Sequence, residues 1–209
     1  MGNFLVDFVS SFNGKMFLMA YLVASIPFGL IFAKVFGNVD VRKEGSGNIG
    51  ATNVLRVLKQ KDPSLAKKIS ILTLVFDVLK GVIPLLIAKS LGADEATLWG
   101  MAVLAVLGHC FSIFLFFEGG KGVATGLGVM AVMIPKAAIV GLLVWLVSAK
   151  TIKISSLSSL LGIGALLLAS FVLYPSLAHA PIVIIVILIV YKHSQNIANL
   201  LTGKEKRVV

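Results

Sequence analysis

The sequence predicts an all-α fold, a polytopic transmembrane helical bundle of seven segments, and two observations support this. Hydrophobic residues make up 58% of the 209 residues and charged residues only 13%, with a mean hydropathy of +1.00. Soluble domains carry about 45–50% apolar and about 25% charged residues. The apolar residues also form runs as long as a membrane helix. This excludes a disordered chain, a coiled coil and a soluble globular enzyme, and the length indicates one domain, residues 1–209.

Three runs each have the length of one crossing, about 20 residues. Residues 16–33 and 96–117 carry no formal charge, and residues 69–88 are apolar except for Asp77 and Lys80. Charges at this depth are costly, and residues spaced i, i+3 share a helix face. Asp77 and Lys80 are therefore predicted to form an ion pair with each other or to meet other buried polar groups.

Two longer runs are divided by proline. Residues 154–191 contain no charged residue over 38 positions, and as one helix they would reach about 57 Å, nearly twice the ~30 Å hydrocarbon core. Pro175 and Pro181 bracket the predicted break in this run. Residues 122–149 are divided at Pro135, which predicts two short helices that meet at a tight turn.

The basic residues set the predicted orientation. Nineteen Lys and Arg against nine Asp and Glu give a net charge of +10. With seven segments and residues 37–68 in the cytoplasm, only Lys15, Lys89 and Lys136 fall outside, and Lys80 lies within a span. This positive-inside pattern predicts the N-terminus outside and the C-terminus in the cytoplasm. In a membrane protein the charge indicates anionic headgroups or an anionic substrate and does not indicate nucleic acid.

Other classes of site are poorly supported. The single cysteine, Cys110, excludes an intramolecular disulfide, and the three histidines lack metal-ligand spacing. Residues 1–15 lack a basic region followed by a cleavage site, so no cleaved signal peptide is predicted.

The densest polar segment is Gly-Ser-Gly-Asn-Ile-Gly-Ala-Thr-Asn-Val-Leu-Arg, residues 45–56. Glycine-rich turns let backbone N–H groups converge on an anion, and a helix that begins near Ala51 would add its positive end. Ser46, Asn48 and Thr52 would add side-chain donors. The segment also fits the GxGxxG pattern, but no buried strand precedes it, which excludes a dinucleotide site. The alternative is an ordinary loop whose glycines make turns.

A second candidate segment is Glu-Gly-Gly-Lys-Gly, residues 118–122. The neighbouring glycines would let Lys121 approach a phosphate, although a lone lysine at a membrane edge is also a common interfacial anchor. In the tail, His193 and Asn196 are spaced to share a helix face, and a histidine there can act as a base or a phosphate donor. The alternative is a polar helix end.

The remaining polar candidates are less informative. His109 lies within a span and is predicted to be a packing histidine, and His179 receives no role. Four serines follow the fifth segment as helix caps, lipid-facing donors or substrate donors, and the sequence does not decide between these: Ser155, Ser156, Ser158 and Ser159.

In this order the segments resemble the PlsY-type integral-membrane acyltransferases, which acylate glycerol 3-phosphate from acyl phosphate. The resemblance runs from Ser25-Ile26-Pro27-Phe28-Gly29 to Leu200-Leu201-Thr202-Gly203. It also includes Phe76-Asp77-Val78-Leu79-Lys80-Gly81, and Gly108-His109 leading into the second glycine-rich segment. Two positions depart from the family pattern: Ser112 replaces a usual proline, and Glu118 replaces a frequent lysine.

The resemblance implies a multi-pass enzyme of the bacterial inner membrane with its active site facing the cytoplasm. It would transfer a fatty acyl group to the sn-1 hydroxyl of glycerol 3-phosphate, giving 1-acylglycerol 3-phosphate and phosphate. This is the first step of bacterial phospholipid synthesis and needs no cofactor or metal. The implied partners are glycerol 3-phosphate, acyl phosphate, membrane lipids and the enzyme that supplies acyl phosphate.

The resemblance also implies the site residues. The implied catalytic residues are Lys121, His193 and Asn196. The implied substrate-binding residues are Ser46, Gly47, Asn48, Gly50, Thr52, Asn53, Arg56, Gly120 and Ser159. The base is left open between His193 and a substrate phosphate. The rival functions are a transporter of a small organic phosphate and a non-catalytic lipid-binding subunit.

Overall fold

The structure is a computed structural model that describes residues 4–207, and it confirms the all-α prediction for these residues. Within them, the one β-type pairing is an isolated bridge between Ser112 and Glu118. The predicted single domain, 1–209, includes termini that lie outside the described residues. The helices are α1 (Phe4–Ser10), α2 (Phe12–Ser25), α3 (Phe28–Gly37), α4 (Ala51–Leu58), α5 (Pro63–Ser90), α6 (Glu95–Cys110), α7 (Val123–Met133), α8 (Pro135–Ile152), α9 (Ser155–Leu173), α10 (Ala180–Lys192) and α11 (Ser194–Leu201), with one 3₁₀ turn at Ile113–Leu115.

The seven predicted segments all coincide with helix, but some lengths differ. The prediction of two short helices on either side of Pro135 is wrong for the second, because α8 has 18 residues whereas α7 has 11. The apolar run stops at Lys150, but an exposed charge does not end a helix, and α8 continues to Ile152. The predicted third segment, 96–117, is helical only to Cys110, after which the chain turns back.

Several helices have the length and composition of membrane spans. Among residues 4–207, four helical units qualify: Phe12–Gly37, Pro63–Ser90, Pro135–Ile152 and Ser155–Leu173. The pair α10 and α11, bent by 59°, would be a fifth, and α6 and α7 are apolar but shorter. The protein therefore has the helices of an integral membrane protein, while seven crossings and the orientation of the termini remain predictions.

The core lies between α2, α5, α6, α7, α8, α9 and α10, where mostly small and branched apolar side chains are buried. Glycines bring α8 and α9 into close contact, since a Cβ added at Gly162 would lie 2.9 Å from the carbonyl oxygen of Gly141. Large apolar side chains such as Leu143 and Leu168 remain exposed on the outer surface, which suits contact with lipid. A smaller cluster packs α3 and α4 against the start of α5.

A buried ion pair supports the break between α2 and α3. The predicted run at 16–33 is interrupted at Pro27, which has no backbone N–H to continue the helix. Lys80 Nζ donates to the carbonyl oxygen of Ile26 at 3.0 Å and lies 2.8 Å from Oδ1 of Asp77. Both charged side chains are at most 4% exposed. The predicted Asp77–Lys80 pair is thus present, and its lysine also binds the carbonyl oxygen of Ile26 at the break between the two helices.

Replacing Lys80 with methionine is expected to destabilise the fold by about 3–5 kcal/mol, because it leaves the Asp77 carboxylate buried without its partner. The melting temperature in detergent, followed by size-exclusion chromatography after heating, would measure this. Lys89→Met is the matched control, since Lys89 is an exposed lysine on the same helix. An equal melting temperature for Lys80→Met and Lys89→Met would contradict a structural role for the pair.

Candidate active site

A cavity of about 520 Å³ joins the predicted polar segments to the apolar interior. This volume lies within the range of small-molecule sites, about 300–1,000 Å³. One end is lined by side chains from the 45–56 segment, the start of α9, the α10–α11 junction and the tail. The other end is lined mainly by apolar or small residues of α5, α7, α8 and α9, such as Leu74, Trp145 and Leu166. Asp77 and His109 also line the cavity. Such a cavity suits a molecule with a charged head and an apolar chain.

Most of the predicted site residues line this one cavity. Those that do are Ser46, Asn48, Gly50, Thr52, Asn53, Arg56, Lys121, Ser159, His193 and Asn196. Gly47 and Gly120 are not among its lining residues. Gly47 makes a turn at a φ of +72°, which favours glycine, and Gly120 packs behind Lys121 against His109.

The 45–56 segment is held in shape by Asn53. The Asn53 side chain is 2% exposed, and its Oδ1 accepts from the backbone N–H of Ser46 at 2.8 Å. Its Nδ2 donates to the carbonyl oxygens of Val41 at 2.9 Å and Asn48 at 2.8 Å. A second contact runs from the Gly50 N–H to Oδ1 of Asn48 at 2.7 Å. The amide side chains of Asn48 and Asn53 thus stabilise the conformation of the loop.

These contacts correct one expectation about backbone donors. The N–H groups of Ser46, Gly47 and Gly50 already donate within the loop, to Asn53 Oδ1, the Glu44 carbonyl oxygen and Asn48 Oδ1. These three N–H groups are therefore not free to bind an anion, and anion binding by the rest of the segment stays a prediction. The glycines instead allow a compact loop that ends at Gly50 and starts α4 at the cavity wall. Arg56 and Thr52, both on α4, line the cavity.

The serine-rich start of α9 meets α4 across the cavity. The hydroxyls of Thr52 and Ser155 lie 3.2 Å apart. Ser159 donates to the carbonyl oxygen of Ser155 at 2.9 Å, one turn back along α9. Because each hydroxyl oxygen can also accept, Thr52 and Ser159 retain hydrogen-bonding capacity toward the cavity.

Lys121 is connected to the tail through Asn196. Its Nζ donates to Oδ1 of Asn196, and Nδ2 of Asn196 donates to Oε1 of Glu205 at 2.7 Å. Burial lowers the pKa of Lys121, and the positive charges of Arg56 and Lys192 lower it further, while the Glu205 carboxylate raises it. Several basic groups thus gather at the polar end of the cavity, where they can attract a phosphate.

His193 lies at the junction of α10 and α11 and is only 2% exposed. Its Nδ1 is 2.7 Å from the carbonyl oxygen of Ile189. A carbonyl can only accept, so Nδ1 carries a proton, and in the neutral imidazole Nε2 is left with a lone pair. His193 and Asn196 both line the cavity, as the i, i+3 spacing predicts.

Glu205 is the site residue that the sequence reasoning missed. Its Oε1 accepts from Ser156 Oγ at 2.6 Å as well as from Asn196. Burial raises the pKa of Glu205, but the hydrogen bonds from Ser156, Asn196 and Asn199 and the charge of Lys121 outweigh it, so the pKa is lowered. In the sequence Glu205 appears as one charge in a basic tail, and no local signal marks it.

Replacing Glu205 with alanine is expected to destabilise the protein by about 1–2 kcal/mol, because Ser156 and Asn196 lose a charged acceptor that is itself partly exposed. The KM for the phosphate-bearing substrate should rise as Asn196 and Lys121 lose their restraint. Melting temperature and steady-state kinetics would test this, with Glu44→Ala, an exposed acid of the first loop, as control. Equal behaviour of the two variants would contradict the prediction.

The lowered pKa also predicts a pH dependence. Folding lowers the pKa of Glu205 below 4.5, so its stabilisation is complete above that pH and is lost as the pH falls through the folded-state value. Glu205→Gln should lack this part of the acid-induced loss. Identical acid profiles for the wild type and the variant would argue against it.

Among residues 4–207, the His, Cys, Asp and Glu side chains form no group of three or more that could hold a metal ion.

Comparisons of the sequence and the structure with known proteins all identify the same family. The family profile described as "Glycerol-3-phosphate acyltransferase" matches residues 15–203. A glycerol-3-phosphate acyltransferase of Sulfurimonas denitrificans is 58% identical over 204 residues, which cover 98% of this chain and 100% of that protein. One from Campylobacter concisus is 59% identical over 201 residues, covering 94% and 99%.

Two solved structures are also similar. The crystal structure of PlsY, an integral membrane glycerol 3-phosphate acyltransferase, in its glycerol 3-phosphate form has a TM-score of 0.84 and 41% identity. The match covers 94% of this chain and 96% of that one. The lysophosphatidic acid form has a TM-score of 0.83 and 40% identity.

Proposed function

The chain belongs to the glycerol-3-phosphate acyltransferase family of integral membrane proteins, and we propose that it transfers a fatty acyl group from acyl phosphate to the sn-1 hydroxyl of glycerol 3-phosphate. The products are 1-acylglycerol 3-phosphate and inorganic phosphate. The observation that supports this most is the cavity, whose polar end carries Arg56, Lys121 and His193 and whose other end is apolar. An acyl phosphate has this same division between a charged head and a hydrocarbon chain.

The reaction needs little covalent chemistry from the protein. The sn-1 oxygen forms a bond to the acyl carbon, the bond from that carbon to the phosphate oxygen breaks, and the hydroxyl proton passes to a base. Acyl phosphate is already an activated mixed anhydride, so no covalent enzyme intermediate is required. Much of the acceleration comes from holding the two substrates in the reacting geometry.

The polar side chains bind the phosphate groups, orient the substrates and accept the proton. Arg56 and Lys121 hold phosphate oxygens and stabilise negative charge as the leaving group departs. Ser46 and Thr52 donate hydrogen bonds to the substrates, Ser159 contacts them through its hydroxyl oxygen, and Asn196 orients Lys121. His193 accepts the hydroxyl proton at Nε2, or the substrate phosphate accepts it instead. In the first case replacing His193 lowers kcat, and in the second case it leaves kcat unchanged.

The same proposal includes the cellular setting. The enzyme would lie in the bacterial inner membrane with seven crossings, its N-terminus outside and its cavity open to the cytoplasm, where another enzyme supplies acyl phosphate. Single cysteines introduced at exposed Lys136 and Lys204 in a Cys110→Ala background would report the two sides. A membrane-impermeant thiol reagent added to intact cells should label only the cysteine at position 136. Labelling of the one at position 204 would overturn the topology.

The donor is tested by assaying purified protein in detergent with labelled glycerol 3-phosphate. Acyl phosphate, acyl-CoA and acyl carrier protein are supplied in parallel. Lysophosphatidic acid and phosphate that form only with acyl phosphate would support the proposal. Product from a thioester would overturn the donor assignment while keeping the acyltransferase. Binding without product from any donor, together with flux across sealed vesicles, would favour a transporter.

A further inference from the structure

The backbone before Lys121 lies against the end of α6. The N–H of Gly120 donates to the carbonyl oxygen of His109 at 3.0 Å. A Cβ added at Gly119 would lie 2.3 Å from that oxygen, and one added at Gly120 would lie 2.0 Å from Nε2 of the His109 ring. Side chains do not fit at such distances, so His109 accounts for glycine at both positions.

His109 is itself restrained by the buried charges of α5. Its side chain is 4% exposed, and Nδ1 lies 3.7 Å from Oδ1 of Asp77. This is too long for a hydrogen bond, and Nδ1 has no hydrogen-bond partner among residues 4–207. The Asp77 oxygen is held at 2.8 Å by Lys80. The ring therefore keeps its place through packing and the neighbouring ion pair.

The chain after Lys121 is attached to the same helix. Thr125, in the first turn of α7, donates its hydroxyl to the carbonyl oxygen of Asp77 at 2.8 Å. A Cβ added at Gly81 would lie 2.7 Å from the carbonyl oxygen of Thr125, so α5 and α7 are in close contact there. Both flanks of Lys121 are thus fixed to α5 and α6.

We propose that His109 is a positioning residue for Lys121, acting through the backbone of Gly119 and Gly120. Glycines precede and follow Lys121, and they give its backbone the greatest conformational freedom. Order in this segment must therefore come from its surroundings, and His109 supplies it with both its carbonyl oxygen and its ring. The inference rests on the proposed function, because the orientation of Lys121 matters only if its ammonium group acts on a substrate phosphate.

The two glycines provide a matched pair of variants. In Gly120→Ala the new methyl group would meet the His109 ring, whereas in Gly119→Ala it would meet backbone oxygens of His109 and Cys110. Each variant is expected to lower kcat/KM by roughly a hundredfold, because Lys121 is displaced. Adding His109→Ala removes the ring but not the backbone, so it should restore about fivefold or more to Gly120→Ala and nothing to Gly119→Ala.

His109→Ala alone tests the positioning role directly. It should lower kcat/KM by roughly tenfold in the wild-type background but by less than about twofold in the Lys121→Ala background, where there is no ammonium group to orient. Losses that multiply in the double variant would overturn the proposal, as would equal rescue of both alanine variants. His109→Asn is the second variant if His109→Ala fails to fold, and melting temperatures identify misfolded samples.

A binding measurement separates this inference from the proposed reaction. The rise in melting temperature caused by glycerol 3-phosphate requires no acyl donor. If no donor yields product, rescue of this rise in Gly120→Ala/His109→Ala would still support the role of His109. The other outcome is that acyl phosphate yields product while Gly120→Ala/His109→Ala recovers neither kcat/KM nor the rise in melting temperature. In that case the positioning role is wrong and the proposed function stands.

Discussion

Replacing Lys121 with alanine is expected to lower kcat/KM by about 10²–10³-fold, or roughly 2.7–4 kcal/mol of transition-state stabilisation. The Lys121 ammonium group lies at the polar end of the cavity, partly buried, where Asn196 orients it. An interaction with developing charge is stronger in such a site than in water, because less solvent is present to screen it. Steady-state kinetics with glycerol 3-phosphate and acyl phosphate would measure the loss.

The matched control is Lys150→Ala, since Lys150 is an exposed lysine at the end of α8 that does not line the cavity. It should retain wild-type activity. Lys121→Arg keeps the charge but replaces a compact ammonium with a larger planar group, and it should recover only part of the activity. Activity of Lys121→Ala within about twofold of the wild type would remove Lys121 from the catalytic site. The loss of one charged donor to the transition state is expected to lower the activity far more than about twofold.

Replacing His193 with glutamine is expected to reduce kcat by about 10²–10⁴-fold even at saturating substrate, the usual contribution of a general base. The contact of Nδ1 with the Ile189 carbonyl oxygen leaves Nε2 as the nitrogen that can take a proton. Glutamine can reproduce a hydrogen bond at this position but cannot accept the proton. Single-turnover measurements would separate the chemical step from substrate binding.

A preserved kcat with a raised KM would assign proton transfer to the substrate phosphate and leave His193 a binding role. The control is His179→Gln, at the start of α10, where the imidazole stacks on Phe171 at a centroid distance of 4.1 Å. This histidine lies at the opposite end of α10 from His193, and its replacement should leave kcat unchanged.

The positions of the helices were largely predictable because they depend on local properties of the chain. Pro135 begins α8, and the break between Pro175 and Pro181 separates α9 from α10. A proline lacks its backbone N–H whatever the tertiary structure around it, and a long uncharged apolar run favours lipid over water in the same way. The length of α8 was missed since a surface lysine, Lys150, was taken as its end.

Many of the polar residues that line the cavity were also predictable. His193 and Asn196 meet at the cavity because a helix places residues three apart on one face. Arg56 was recognised because it ends a dense polar segment rich in glycine, and Lys121 because glycines flank it on both sides. Sequence alone therefore determined the membrane class, most helical segments and most of the polar residues that line the cavity.

Only the tertiary structure decided how these residues are used. Asn53 ties its own loop together, Glu205 reaches Ser156 and Asn196 from the tail, and the His109 ring requires glycine at position 120. The Thr52 hydroxyl meets Ser155 across 103 positions of sequence. Such contacts depend on how distant helices pack, and neither hydropathy nor spacing along one segment carries that information, because both describe only neighbours in the chain.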